Sequence, residues 1–141
     1  MKRRAFLKTT CKLCALGAAG LALPQVLSSC GSVRSLSISL PIENGRVAVP
    51  LNLFENESLQ LVRPKGWMYS IAVFKTENGF QALLMKCTHM DNQLYPSSEG
   101  FRCSMHGSEF SKEGVVKKGP AEKKLQHFVV EKTESDAVVY L

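Results

Sequence analysis

The chain has 141 residues, a length that favours a single domain, and a formal net charge of +6. The excess positive charge lies in residues 1–29, which contain five Lys and Arg residues and no Asp or Glu. The rest of the chain carries thirteen cations against twelve acids. This near-neutral remainder gives no electrostatic case for nucleic-acid binding, so we expect no nucleic-acid partner.

Residues 1–29 have the composition of an export signal. A basic start is followed by an apolar run at about residues 13–23, and then by Pro24 and small residues. The apolar run is shorter than the roughly 20 residues that a membrane-spanning helix needs. The segment Arg-Arg-Ala-Phe-Leu-Lys at residues 3–8 resembles the twin-arginine signal, which exports folded proteins. The alternative is an ordinary secretory signal that contains paired arginines.

The end of this segment resembles a lipoprotein processing site. The tetrad Leu-Ser-Ser-Cys that ends at Cys30 is similar to a bacterial lipobox, which implies cleavage before Cys30 and attachment of lipid to it. Several acyl chains anchor a protein stably on a membrane, whereas one does not. The alternative is a free thiol at an ordinary cleavage site. We therefore predict a signal peptide at residues 1–29, a short tether at 30–34 and a folded domain at 35–141.

From residue 35 onward, short runs of alternating or β-branched residues predict β-structure. The dipeptides Asn44-Gly45 and Asn78-Gly79 are strong hairpin-turn signals. No segment has a convincing helical stripe. The expected fold is all-β, a compact antiparallel sandwich or barrel of about ten short strands. The predicted strands are residues 35–40, 46–49, 58–62, 69–75, 80–86, 101–102, 108–110, 115–116, 125–131 and 137–141.

Two short patterns of metal ligands stand between these strands. Cys87 and His89 form a Cys-x-His pair, and after thirteen intervening residues Cys103 and His106 form a Cys-x-x-His pair. Structural zinc takes Cys and His tetrahedrally, usually from knuckles that each offer two ligands of one kind. Here each loop offers one thiolate and one imidazole, which suits a two-iron centre with two sulfur ligands on one iron and two nitrogen ligands on the other.

This stretch resembles the Rieske family, in which His replaces Cys on one iron of a [2Fe–2S] cluster. The match includes Thr88 in the first pair and Gly107-Ser108 after the second. The resemblance implies a Rieske-like fold with the two ligand loops at one tip. It also implies that the amides around Gly107 and the hydroxyl of Ser108 donate to the cluster sulfides. One cluster per chain would be held by Cys87, His89, Cys103 and His106.

The sequence departs from the family at several positions around these loops. Members from quinol-oxidising complexes carry a disulfide between two further cysteines. This chain has Asn92 and Met105 at those positions. The disulfide is also missing from Rieske-type ferredoxins. Asp91 replaces a frequent glycine, and Asp tolerates positive φ better than most residues. Gly119-Pro120-Ala121 resembles the family's proline loop, which covers the cluster from a third side.

The resemblance implies a one-electron carrier rather than an enzyme, with no catalytic residues of its own. We expect a lipid-anchored ferredoxin or small oxidoreductase subunit on the outer face of the bacterial cytoplasmic membrane, or in the outer membrane facing the periplasm. Its partner would be a larger oxidoreductase subunit or a cytochrome. The alternative from a different class is a zinc-stabilised Cys2His2 binding module without a redox role.

Overall fold

The computed structural model describes residues 37–141. These residues form eleven β-strands in two sheets and one short 3-10 helix, so the predicted all-β class is confirmed. Within this part of the chain, no helix has the length and apolarity to span a bilayer. The predicted signal peptide and the predicted lipid attachment at Cys30 lie outside the described residues.

The strands are short, with three to six residues each. The 3-10 helix, Leu51–Phe54, directly follows the second strand. In chain order the strands are β1 (Ile38–Leu40), β2 (Arg46–Pro50), β3 (Leu59–Pro64), β4 (Ile71–Thr76), β5 (Gly79–Leu84), β6 (Leu94–Ser97), β7 (Gly100–Cys103), β8 (Glu109–Ser111), β9 (Val116–Lys118), β10 (His127–Lys132) and β11 (Asp136–Tyr140).

The larger sheet has seven strands in the order β1-β3-β4-β5-β10-β11-β2, and the smaller has four in the order β6-β7-β8-β9. Among the described strands, β1 and β3 pair in parallel and the other pairs are antiparallel. The outermost strands of the larger sheet, β1 and β2, contact each other. The larger sheet therefore nearly closes into a barrel.

Asn44-Gly45 forms the expected tight turn, but it does not join two long strands. Both residues have positive φ, 50° and 72°, and the turn closes on the backbone pair of Glu43 and Arg46. β1 instead pairs with β3, and β2 pairs with β11. The predicted hairpin between residues 35–40 and 46–49 is therefore wrong, because a local turn signal does not specify the partner of each strand.

β6 was not predicted from the sequence, and its four residues, Leu-Tyr-Pro-Ser, include Pro96. Proline cannot donate to a sheet ladder and argues against an internal strand. β6 lies at the edge of the smaller sheet and pairs on one side with β7. An edge position tolerates the missing N–H, so a strand forms here despite the proline.

The middle of the larger sheet is covered on both faces. Alternate residues of β4 and β5, among them Val73 and Ala82, pack into the barrel core. The intervening residues, among them Ala72 and Leu83, pack against the smaller sheet in a second core cluster. Since successive side chains of a strand point to opposite faces, two strands serve both cores. The second cluster extends to Cys87 and places the end of β5 beside the smaller sheet.

Candidate metal centre

Residues 87–92, the first ligand loop, connect β5 to β6. An isolated bridge between Lys86 and Gln93 closes its base. The Cys87 N–H donates to the Asn92 carbonyl at 2.7 Å, and the Asp91 N–H donates to the Cys87 carbonyl at 2.9 Å. Asp91 has a φ of 56°, a region that Asp adopts more readily than most residues. The turn thus survives the replacement of the family's frequent glycine.

Residues 103–108, the second ligand loop, connect β7 to β8 and repeat this hydrogen-bond pattern. The Cys103 N–H donates to the Ser108 carbonyl at 2.9 Å, and the Gly107 N–H donates to the Cys103 carbonyl at 3.1 Å. In both loops the cysteine carbonyl accepts a hydrogen bond from the N–H of the residue four positions later. The cysteine N–H donates to the carbonyl of the residue five positions later. Gly107 has a φ of 75°, which glycine adopts without steric cost. The two loops are therefore local structures of the same kind.

The loops separate the thiols from the imidazoles. Cys87 and Cys103 are 0% and 1% exposed and belong to the same apolar cluster. His89 and His106 are exposed, and their ring centroids lie 5.0 Å apart with perpendicular planes. The structure thus brings the two rings together at the surface and buries both thiols beneath it.

Within residues 37–141, no three His, Cys, Asp or Glu side chains converge as they would around a single metal ion. A tetrahedral zinc site needs all four ligands at one ion. A Rieske centre needs two pairs, because each iron takes two protein ligands and inorganic sulfide completes its coordination. The donor set of Cys87, Cys103, His89 and His106 consists of two such pairs and fits a [2Fe–2S] cluster.

A third segment contacts both ligand loops. The Ala121 N–H donates to Ser108 Oγ at 3.0 Å, and the Thr88 hydroxyl donates to the Lys123 carbonyl at 2.6 Å. Ser108 is fully buried, and its oxygen accepts this bond while its O–H is left as a donor. Residues 119–123 therefore link two loops that have no disulfide between them. The contact at Lys123 was missed from sequence, because nothing in a lysine predicts the use of its carbonyl.

We expect Ser108→Ala to lower the free energy of unfolding by about 1–3 kcal/mol, because the buried Ala121 N–H loses its acceptor. We also expect a lower reduction potential, because the hydroxyl no longer donates toward the cluster. Urea denaturation and a redox titration measure the two effects. Ser104→Ala is the matched control, since Ser104 is exposed in the same loop. Equal stability of the two variants would contradict the role assigned to Ser108.

Comparisons with known proteins agree with this geometry. A model of the Rieske [2Fe–2S] domain family matches residues 49–129, more than half of the chain. The fold is similar to the crystal structure of the cyanobacterial plasma membrane Rieske protein PetC3 from Synechocystis PCC 6803, with 22% identity and a TM-score of 0.56 over 66% of this chain and 97% of that chain. Comparison with curated proteins gave no match.

The chain therefore belongs to the Rieske [2Fe–2S] family. It carries one [2Fe–2S] cluster and transfers electrons through it. The alternative of a zinc-stabilised binding module is not supported.

Proposed function

We propose that this chain is a membrane-tethered, extracytoplasmic electron carrier. In this proposal Cys87 and Cys103 bind one iron, and His89 and His106 bind the other. The observation that carries the ligand assignment is the burial of both thiols beneath two exposed, adjacent imidazole rings. Each ring stands on a loop with the same backbone hydrogen bonds, so each loop offers one ligand to each iron.

The residues around the ligands have separate tasks in this proposal. When bound, the [2Fe–2S] cluster supplies one-electron redox chemistry. The apolar surroundings of Cys87 and Cys103 exclude water from the sulfur side. Backbone amides around Gly107 and the hydroxyl of Ser108 donate toward the cluster and tune its reduction potential.

The imidazole side would be the contact surface for a redox partner. Met90 and Met105, next to the two histidines in sequence, are 61% and 64% exposed. Methionine is flexible and apolar, and it is common at surfaces that adapt to a partner. We propose that a larger oxidoreductase subunit or a cytochrome docks here, and that this chain performs no bond-making chemistry itself.

The amino-terminal part of the proposal rests on sequence resemblance. Residues 1–29 would be a twin-arginine signal peptide, Cys30 the lipid attachment site and residues 30–34 a tether for the domain at 35–141. Export of a folded chain is consistent with cluster assembly in the cytoplasm. The carrier would lie on the outer face of the cytoplasmic membrane or in the outer membrane, facing the periplasm.

Electron paramagnetic resonance of the anaerobically purified, reduced full-length chain tests the ligand assignment. Mixed sulfur and nitrogen ligation is expected to give a lower average g value than ligation by four sulfurs. Iron and zinc content measured on the same sample provide the control. A preparation with one zinc per chain and no visible absorbance would overturn the proposal.

A further inference from the structure

An ion pair spans the base of the first ligand loop. Lys86 Nζ lies 3.1 Å from Asp91 Oδ1, and it also stands 5.6 Å from the ring centroid of Tyr69. The Lys86 side chain is 35% exposed and the Asp91 side chain 67%. Lys86 immediately precedes Cys87, and Asp91 follows His89 by two residues. The pair therefore brackets both ligands of this loop.

The connection from β3 to β4 is hydrogen-bonded to both ends of the same loop. The Met85 N–H donates to the Ser70 carbonyl at 2.9 Å, and the Ser70 N–H donates to Gln93 Oε1 at 3.2 Å. We call residues 85–86 and residue 93, which flank the loop, its stem. These bonds, with the contact of Tyr69 to Lys86, fix the stem to the larger sheet. Asp91 lies beyond the stem, where the chain turns back. Its carboxylate contacts the stem through the ion pair with Lys86.

A cavity of about 250 Å³ opens beside the ion pair. Its lining includes Cys87 and Asp91 of the first ligand loop, Lys86 immediately before that loop, and Lys123 and Gln126 farther along the chain. The ion pair and the buried Cys87 therefore line the same cavity. A loop that moves away from its stem would widen this opening toward Cys87.

We propose that the Lys86–Asp91 ion pair is a positioning device, which holds the first ligand loop against its stem and limits solvent access to Cys87. This inference rests on the proposed function, because it assigns Cys87 and His89 to the cluster. Neither Lys86 nor Asp91 is a ligand. The two charges also oppose each other in their effect on the cluster, since a nearby cation favours the more negative, reduced state and a nearby anion disfavours it.

The test uses the full-length protein with its cluster and three variants: Lys86→Met, Asp91→Asn and the double variant. Asn accepts positive φ as Asp does, so the second change removes charge without changing the turn. Each single variant is expected to lose visible absorbance in air about two- to fivefold faster than the wild type, the range for a partly exposed ion pair. The double variant should be no worse than the singles, because the pair acts as a unit.

The reduction potential separates positioning by a charged pair from simple loosening of the loop. Lys86→Met is expected to lower the potential and Asp91→Asn to raise it, with the double variant close to the wild type. Lys117→Met is the matched control, because Lys117 pairs with Glu99 at 3.2 Å in the smaller sheet, away from the ligand loops. This control should match the wild type in both measurements.

Two results would overturn the inference alone: single variants that keep their clusters as long as Lys117→Met does, or potentials that shift in the same direction in both singles. Either result requires a wild type with a normal Rieske spectrum. A wild type without such a spectrum would overturn the proposed function as well. The failure of the inference is therefore distinguishable from the failure of the assignment on which it rests.

Discussion

Replacing Cys103 with serine is expected to abolish cluster binding while the fold is retained. Thiolate is the ligand that iron–sulfur clusters select, and a hydroxyl of similar size replaces it poorly. The backbone bonds of Cys103 to Gly107 and Ser108 do not involve the thiol, so the second ligand loop should keep its shape. Iron content and visible absorbance measure the loss, and circular dichroism checks the fold.

The matched control is Cys30→Ser, which changes a cysteine proposed to carry lipid instead of iron. This variant should keep full iron content and should move from the membrane fraction to the soluble fraction. His106→Cys provides a further check, because a cluster that forms with three thiolates should have a lower potential. Full iron content in Cys103→Ser, or an unchanged potential in His106→Cys, would refute the ligand assignment.

Gly100→Ala is expected to be strongly destabilising. Gly100 begins β7 with a φ of 147°, in a region that residues with a Cβ rarely adopt. An added Cβ would overlap the Phe110 carbonyl oxygen and the Ser111 carbonyl carbon of β8. These are backbone atoms, so no side-chain rotation relieves the clash, and β7 and β8 must separate. Strain and overpacking together should lower the free energy of unfolding by about 2–4 kcal/mol.

The same two strands carry the second ligand loop, so Gly100→Ala should also reduce iron content. Urea denaturation and metal analysis test both effects. Gly79→Ala is the control, because Gly79 has a φ of 129° but open space around its missing Cβ. Gly79→Ala should lower the free energy of unfolding only through backbone strain, by about 1–2 kcal/mol. If Gly100→Ala proves no more destabilising than Gly79→Ala, the steric argument is wrong.

Much of the fold could be predicted because the turn signals and the strand patterns beside them favour the same local pairing. The hairpin of β4 and β5 forms around Glu77 and Asn78, with Thr76 opposite Gly79. The second ligand loop stands on the predicted small hairpin, in which Phe101 lies opposite Phe110. In both cases the partners are close in sequence, so a turn signal and two flanking strands suffice.

Pairing over longer distances was not predictable in the same way. The alternation of residues 35–40 indicates a half-buried strand, but not that it runs parallel to β3. β6 was missed because Pro96 argues against a strand until its edge position is known. Alternation reports which side chains are buried, and it carries no information about which strand lies alongside.

The sequence by itself predicted the chemistry of the site, because two Cys and two His at these spacings form the proposed donor set and the loops that present it are local turns. Only the tertiary structure decided how the site is enclosed. The contacts of Thr88 with Lys123 and of Ser108 with Ala121 join residues 35 and 13 positions apart. Such contacts depend on how the two sheets pack, and no local preference of a side chain encodes that packing.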